Sequence, residues 1–177
     1  MKLVKSKRIN GVAYIEREPQ LDLKGTKLVT FSSQLLLNYG IKDTFEFVYR
    51  KTFHKPDEFH GLFFMPEQTV VLRSIKGKFE IFCINLCSSD SETVHIIRSL
   101  DESEKTTILI PAGIIWGVLI YNEGSVLQIQ TSTEVIWSKA KIVDPAEDQL
   151  SSAFGDYEFS IASEYGEKIK LNEIIGI

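Results

Sequence analysis

From residue 44 onward the chain is a succession of short β-branched and aromatic runs broken by turn residues, and this rhythm limits what it can fold into. Thr44 to Phe53 alternates, with Phe45, Phe47, Tyr49 and Phe53 on one face and Glu46, Val48, Arg50 and Thr52 on the other. A polar corner, His54-Lys55-Pro56-Asp57, separates it from Phe59 to Met65. Thr69 to Ile75 and Lys78 to Leu86 flank Lys76-Gly77, which reads as a tight hairpin turn. Thr93 to Arg98, Thr106 to Ile110, Trp116 to Tyr121, Ser125 to Thr131 and Glu134 to Ile142 complete the series, with Asn122-Glu123-Gly124 as a second hairpin turn. Short antiparallel strands at regular spacing predict an all-β sandwich or barrel.

Helical signals are few. Ser33 to Gly40 carries a Ser at its front and Gly at its end, which predicts a short helix. Asp144-Pro145 offers a cap followed by Pro at the first helical position, so a second helix is expected there. The final KIKLNEIIGI is apolar enough to pack back on the barrel, as helix or as strand. No Pro/Gly/Ser-rich linker and no repeat interrupts the chain, and a single domain is expected.

Composition then excludes several function classes. With 44% hydrophobic and 25% charged residues the chain is an ordinary globular sequence. A formal charge of −4, with lysines and arginines scattered, argues against a nucleic-acid partner, which requires a concentrated basic surface. No apolar run reaches the ~18 residues of a spanning helix, and MKLVKSKRIN lacks the apolar centre of a signal peptide. Cys83 and Cys87, four apart on an expected strand, would lie about 13 Å from each other, too far for a disulfide. Two reduced thiols and a cytoplasmic location follow as the expectation. The three histidines, His54, His60 and His95, have no metal-ligand spacing, so no metal site is expected.

Two stretches bring a family into view: His60-Gly61-Leu62-Phe63-Phe64 and Ile110-Pro111-Ala112-Gly113-Ile114-Ile115-Trp116-Gly117. With the hairpin from Leu72 to Leu86 between them, they resemble the core of the dTDP-4-dehydrorhamnose 3,5-epimerases, cupin proteins with Arg-Gly-Leu-His-aromatic and Ile-Pro-x-Gly-x-x-His-Gly motifs. Ile9 to Val12 is similar to the family's opening strand, and Leu21-Asp22-Leu23-Lys24-Gly25 to its Asp-x-Arg-Gly segment. Trp137 followed by Asp144-Pro145 resembles its late Trp-x-Asp-Pro region. The resemblance implies one cupin jelly-roll domain over residues 1–177, two antiparallel sheets with a core at about 44–142, and terminal segments packed against it. It also implies a homodimer, a nucleotide-diphosphate-sugar ligand and no cofactor.

The departures fall on the residues that do the family's chemistry. Phe63 stands where a histidine removes the proton beside the keto group. Val70 stands near the position of the enolate-stabilising lysine, Thr133 or Glu134 near the proton-donating tyrosine, and Trp116 at the second histidine. A single general base contributes ~10²–10⁴-fold to rate, so losing base, stabiliser and acid together should abolish the mechanism. A second group, the sugar-nucleotide 3,4-ketoisomerases, resembles the chain at Leu109 to Trp116 and Glu123 to Leu127, yet relies on a His-x-His pair that this sequence lacks.

Eight residues are candidates for binding a sugar nucleotide: Lys24, Tyr49, His60, Phe63, Arg73, Trp116, Gln128 and Gln130. His60 replaces a family arginine that grips phosphate, and is otherwise a hydrogen-bonded strand histidine. Arg73, if inward, requires a carboxylate or a ligand phosphate as partner. Gln128 and Gln130 share one strand face, inward for sugar binding or outward as ordinary polar residues. Tyr49, Phe63 and Trp116 either stack a ring of the ligand or fill the barrel, whereas Phe64 reads as core. Two functions therefore stand side by side: a non-catalytic binder of nucleotide sugars, and an active epimerase or isomerase with a different acid/base set drawn from His60, Tyr49 or Glu134.

Overall fold

The computed structural model describes residues 2–7, 9–17, 20–22, 25–27, 32–86, 94–101, 106–137, 140–148, 150, 154, 157, 160–161 and 166–175. Two sheets face each other. The first has six strands: β1 (Lys2–Lys5), β2 (Ala13–Glu16), β10 (Thr106–Ile110), β7 (Val70–Lys76), β12 (Ser125–Thr131) and β5 (Phe47–Phe53), in that spatial order. The second runs β15 (Glu167–Ile169), β13 (Lys141–Val143), β6 (Glu58–Phe64), β11 (Ile115–Ile120), β8 (Lys78–Ile84) and β9 (Val94–Asp101), with β14 (Ser160–Ile161) also on β6. A small hairpin, β3 (Gln20–Asp22) with β4 (Gly25–Lys27), stands apart from both. This is the all-β cupin jelly roll that the sequence leads one to expect, antiparallel except where β15 joins β13 and β14 joins β6.

Three apolar layers hold it together. Between the sheets lie Val70 and Leu72 from β7, Leu127 and Ile129 from β12, and Ile81 and Cys83 from β8, with Phe53, Phe63 and Trp116. Outside the second sheet, Phe59, Leu62, Phe82 and Ile115 are covered by Leu150, Phe154 and Leu171 of the C-terminal region. Because both its faces are covered, β11 is buried at every position, whereas β5 alternates and leaves Val48, Arg50 and Thr52 exposed. Outside the first sheet, Leu36 of helix α1 (Ser33–Asn38) packs on Ala13, Ile15, Val71 and Leu109.

Local chemistry explains where expectation and structure part. The cap of α1 is Ser32, one residue before the expected Ser33: its hydroxyl accepts from Leu35 N at 3.2 Å. Asp144 closes a turn by accepting from Ala146 N at 2.9 Å, and the residues described as helical in the stretch after it are Asp148, Leu150 and Phe154. The expected strand Glu134 to Ile142 shortens to Lys141–Val143. Its first part is held by side chains instead of a ladder, with Val135 N donating to Tyr49 Oη at 3.1 Å and Gln68 Nε2 donating to Glu134 O at 3.3 Å. The C-terminal stretch is both strand and helix, β15 followed by α2 (Leu171–Ile175), whose first amide donates to Glu147 Oε1 at 3.2 Å. Cys83 is buried, and Cys87 lies outside the described residues.

One irregularity shapes the interior. Strands β6 and β11 shift register between Trp116 and Val118, where a Cβ on Gly61 would come within 2.8 Å of Gly117 Cα. Strict alternation would send His60 and Phe63 to opposite faces. The shift brings both inward: His60 lies edge-on to Phe53 at 4.8 Å between ring centres, and Phe63 joins the inter-sheet core.

Candidate functional site

The centre of the barrel is filled by aromatic rings. Phe63, 2% exposed, packs against Trp116 at 4.9 Å and Trp137 at 5.4 Å between ring centres. Trp116 is itself 1% exposed, and Val70 is buried beside them in the same core. None of these side chains can accept or deliver a proton at a carbon acid.

Ionisable and polar groups gather nearer its rim. His60 Nε2 lies 2.9 Å from Glu58 Oε2, with side chains 6% and 16% exposed. Lys55 Nζ approaches the other oxygen of Glu58 at 3.9 Å. On β5, two residues from Tyr49, Lys51 places its ammonium 5.2 Å from the centre of Phe53 and 5.9 Å from that of Trp137, a cation–π arrangement. The carboxylate fixes the imidazole's orientation, and such a pair can take up or release a proton. Past the other end of β6 from Glu58, an open cleft of about 320 Å³ is bordered by Met65, Gln68, Thr133, Glu134, Ile136 and Lys141, among others. Its size falls at the lower end of small-molecule sites.

Of the eight sequence candidates, Tyr49, His60, Phe63 and Trp116 come together in or beside the interior. Tyr49 is committed to the loop at Val135 through its hydroxyl. Arg73, Gln128 and Gln130 do not join them. Leu72, Leu127 and Ile129 point inward, so their neighbours lie on the outer face of the six-stranded sheet, the face that also carries Val71. Lys24 lies outside the described residues. Sequence reasoning passed over Lys51 and Glu58, although each sits two residues from a singled-out side chain on the same strand, Tyr49 and His60 respectively. Period-two spacing was the signal. Among the described residues no group of three or more His, Cys, Asp or Glu side chains is placed to hold a metal. None of the described helices is long and apolar enough to cross a membrane.

The two closed, facing sheets define a cupin-type barrel. Within that class the chain is similar in structure to solved sugar-nucleotide epimerases. Against the rmlC epimerase of Mycobacterium tuberculosis the TM-score is 0.80 at 14% identity, over 99% of this chain and 91% of that one. A double mutant of the 3′-monoepimerase ChmJ from Streptomyces bikiniensis, in complex with dTDP, gives 0.80 at 17%, over 98% and 90%. The dTDP-4-dehydrorhamnose 3,5-epimerase of Bacillus anthracis, with TDP and PPi bound, gives 0.76 at 15%, over 92% and 95%. No family model matches the chain, and no curated protein matches it. At these identities the likeness establishes the dTDP-4-dehydrorhamnose 3,5-epimerase-like fold.

Proposed function

We propose that this protein is a dTDP-4-dehydrorhamnose 3,5-epimerase-like protein of nucleotide-sugar metabolism that binds a nucleotide-diphosphate sugar at the rim of its barrel without epimerising it. The observation that carries the loss of epimerisation is the packing of Phe63 between Trp116 and Trp137. A proton-abstracting base must reach its carbon acid, and the side chain at that position is buried and apolar. The binding half draws on the structural neighbours, solved with dTDP, with TDP and PPi, and with dTDP-4-keto-L-rhamnose. It draws also on the rim itself, where Trp137 offers a ring to stack and Lys51 a cation for phosphate. Fold likeness alone decides no function, so the reading rests on these side chains.

Titration of the protein with dTDP, UDP and GDP, followed by thermal unfolding, tests the binding half. A ligand at 100 times its Kd adds about 2.7 kcal/mol to the folded state. Stabilisation by one of the diphosphates, weakened in Lys51→Met, is the expected result. Absence of any shift across the panel overturns it.

A second reading keeps catalysis. The 2.9 Å pairing of His60 with Glu58 supplies an oriented imidazole, so an epimerase or 3,4-ketoisomerase with a relocated base is the alternative. Turnover lost in both His60→Gln and Glu58→Gln would select it. The homodimer expected from the family belongs with the main proposal. Strands β1 and β5 end the six-stranded sheet and leave edges that a second copy would cover, which sedimentation at micromolar concentration tests.

A further inference from the structure

The outer face of the six-stranded sheet carries several arginines close together. Cross-strand register sets Arg73 of β7 opposite Gln128 of β12, and Gln128 opposite Arg50 of β5. On the other side of β7, Ile108 lies opposite Leu72, so one step along the antiparallel register places Thr107 beside Arg73. Thr107 in turn faces Ile15 of β2, whose strand leads into Arg17, and Arg17 Nη2 donates to Thr106 O at 3.5 Å. Two guanidinium groups, Arg73 and Arg50, thus flank Gln128 on a single face, with Arg17 just past the end of β2.

Such a row is costly by itself. Like charges two strands apart still repel, most where burial limits screening. Burial, and then Arg73, bring Arg17 down to about 10; burial, and then Arg50, lower Arg73. Two polar atoms in the row are also buried with no hydrogen-bond partner, Arg73 Nε and Thr107 Oγ1, and Thr107 is only 2% exposed. A buried donor left unsatisfied bears its full desolvation penalty unless something else meets it. An oxyanion would answer both problems at once, offsetting the repulsion and accepting from the orphaned donors.

We propose that Arg50 and Arg73, with Gln128 between them and Thr107 beside Arg73, form a binding site for a multiply charged oxyanion of the diphosphate type on the outer face of this sheet. The site lies across the sheet from the barrel interior and is independent of the rim described above. The arginines stand on alternate strands, roughly 10 Å apart at the backbone, so the row suits an extended anion better than a single tetrahedral one. Guanidinium forks bind phosphoryl oxygens in pairs, which favours phosphate chemistry over a simple halide.

Calorimetry on the full chain tests the proposal, with inorganic diphosphate, orthophosphate, dTDP and thymidine as separate titrants. One diphosphate should bind per chain, with orthophosphate at least tenfold weaker. Arg50→Gln, at an exposed position that leaves the core intact, and Arg73→Gln should each weaken diphosphate tenfold or more. If Arg50→Gln weakens dTDP as much as inorganic diphosphate, the anion belongs to a nucleotide; if it weakens the inorganic ion alone, the free anion is the ligand. Diphosphate binding that Arg50→Gln and Arg73→Gln leave intact, or no binding by the folded wild type, overturns the assignment. Rim binding of dTDP is read from Lys51→Met, so either site can fail without the other.

Discussion

Phe63→Ala separates a ring that fills the barrel from one that waits at an open mouth for a ligand. Phe63 is almost wholly buried, pairs with Ile142 across β6 and β13, and touches both of the chain's tryptophans. Losing the ring's burial costs about 2 kcal/mol by transfer. A residual void on the order of 100 Å³, at ~24 cal/mol per Å³, adds about 2.4 kcal/mol. The expected loss is therefore about 4 kcal/mol, a large share of a domain's usual ~5–15 kcal/mol. Urea unfolding followed by tryptophan fluorescence measures it, since Trp116 and Trp137 report on this cluster. Phe63→Leu should lose far less, about 1 kcal/mol, because most of the volume stays. A loss below about 1 kcal/mol for Phe63→Ala, with an unchanged denaturant slope, would show that the ring is not part of the packed core.

Other consequences are as specific. A Cβ on Gly117 would meet Phe59 Cζ at 2.5 Å and His60 O at 3.2 Å, so Gly117→Ala should cost ~1–3 kcal/mol by overpacking, measured by the same unfolding curve. Burial raises the Cys83 thiol well above its ordinary value. In a Cys87→Ser variant a thiol reagent at pH 8 should therefore find no reactive sulfur until denaturant is added. Burial, and then its hydrogen bond to Glu80, hold the Tyr121 phenol above the usual tyrosine range. The folded state then keeps this proton longer than the unfolded chain. That contribution to stability is complete below about pH 10 and is lost as pH rises beyond it. Absorbance at alkaline pH should show a late-titrating phenol, brought forward in Glu80→Gln; an unchanged titration would remove Glu80 as a cause.

Most of the barrel was legible because turn residues and alternation agree. Lys76-Gly77 sits where the chain must turn: Gly77 has φ +80°, and a Cβ there would meet Ser125 Oγ at 2.1 Å. Strands β10 and β12 accordingly run over the same residues that the pattern marks. What the pattern lacks is an absolute phase. Alternation puts Gln128 and Gln130 on one face, but only the burial of Leu127 and Ile129 between the sheets says which. Arg73 looked equally able to point inward until Val71, two residues away, proved to lie under α1. The register shift beside Gly61 escaped the sequence for a different reason, since it arises from the close approach of two strands distant in the chain. Without it His60 and Phe63 cannot both face the interior. Over 134–137, apolar residues read as strand were satisfied by Tyr49 and Gln68, a competition from side chains that periodicity does not register.

The proposed function has the protein bind a sugar nucleotide without removing a proton beside its carbonyl. Incubating the protein with a dTDP-4-keto-6-deoxyhexose in deuterated water, and following C3 and C5 by NMR, tests it most directly. Exchange at both carbons should proceed no faster than in the protein-free control. Protein-dependent deuterium incorporation at either carbon, abolished in His60→Gln, would contradict the claim and place the base on His60.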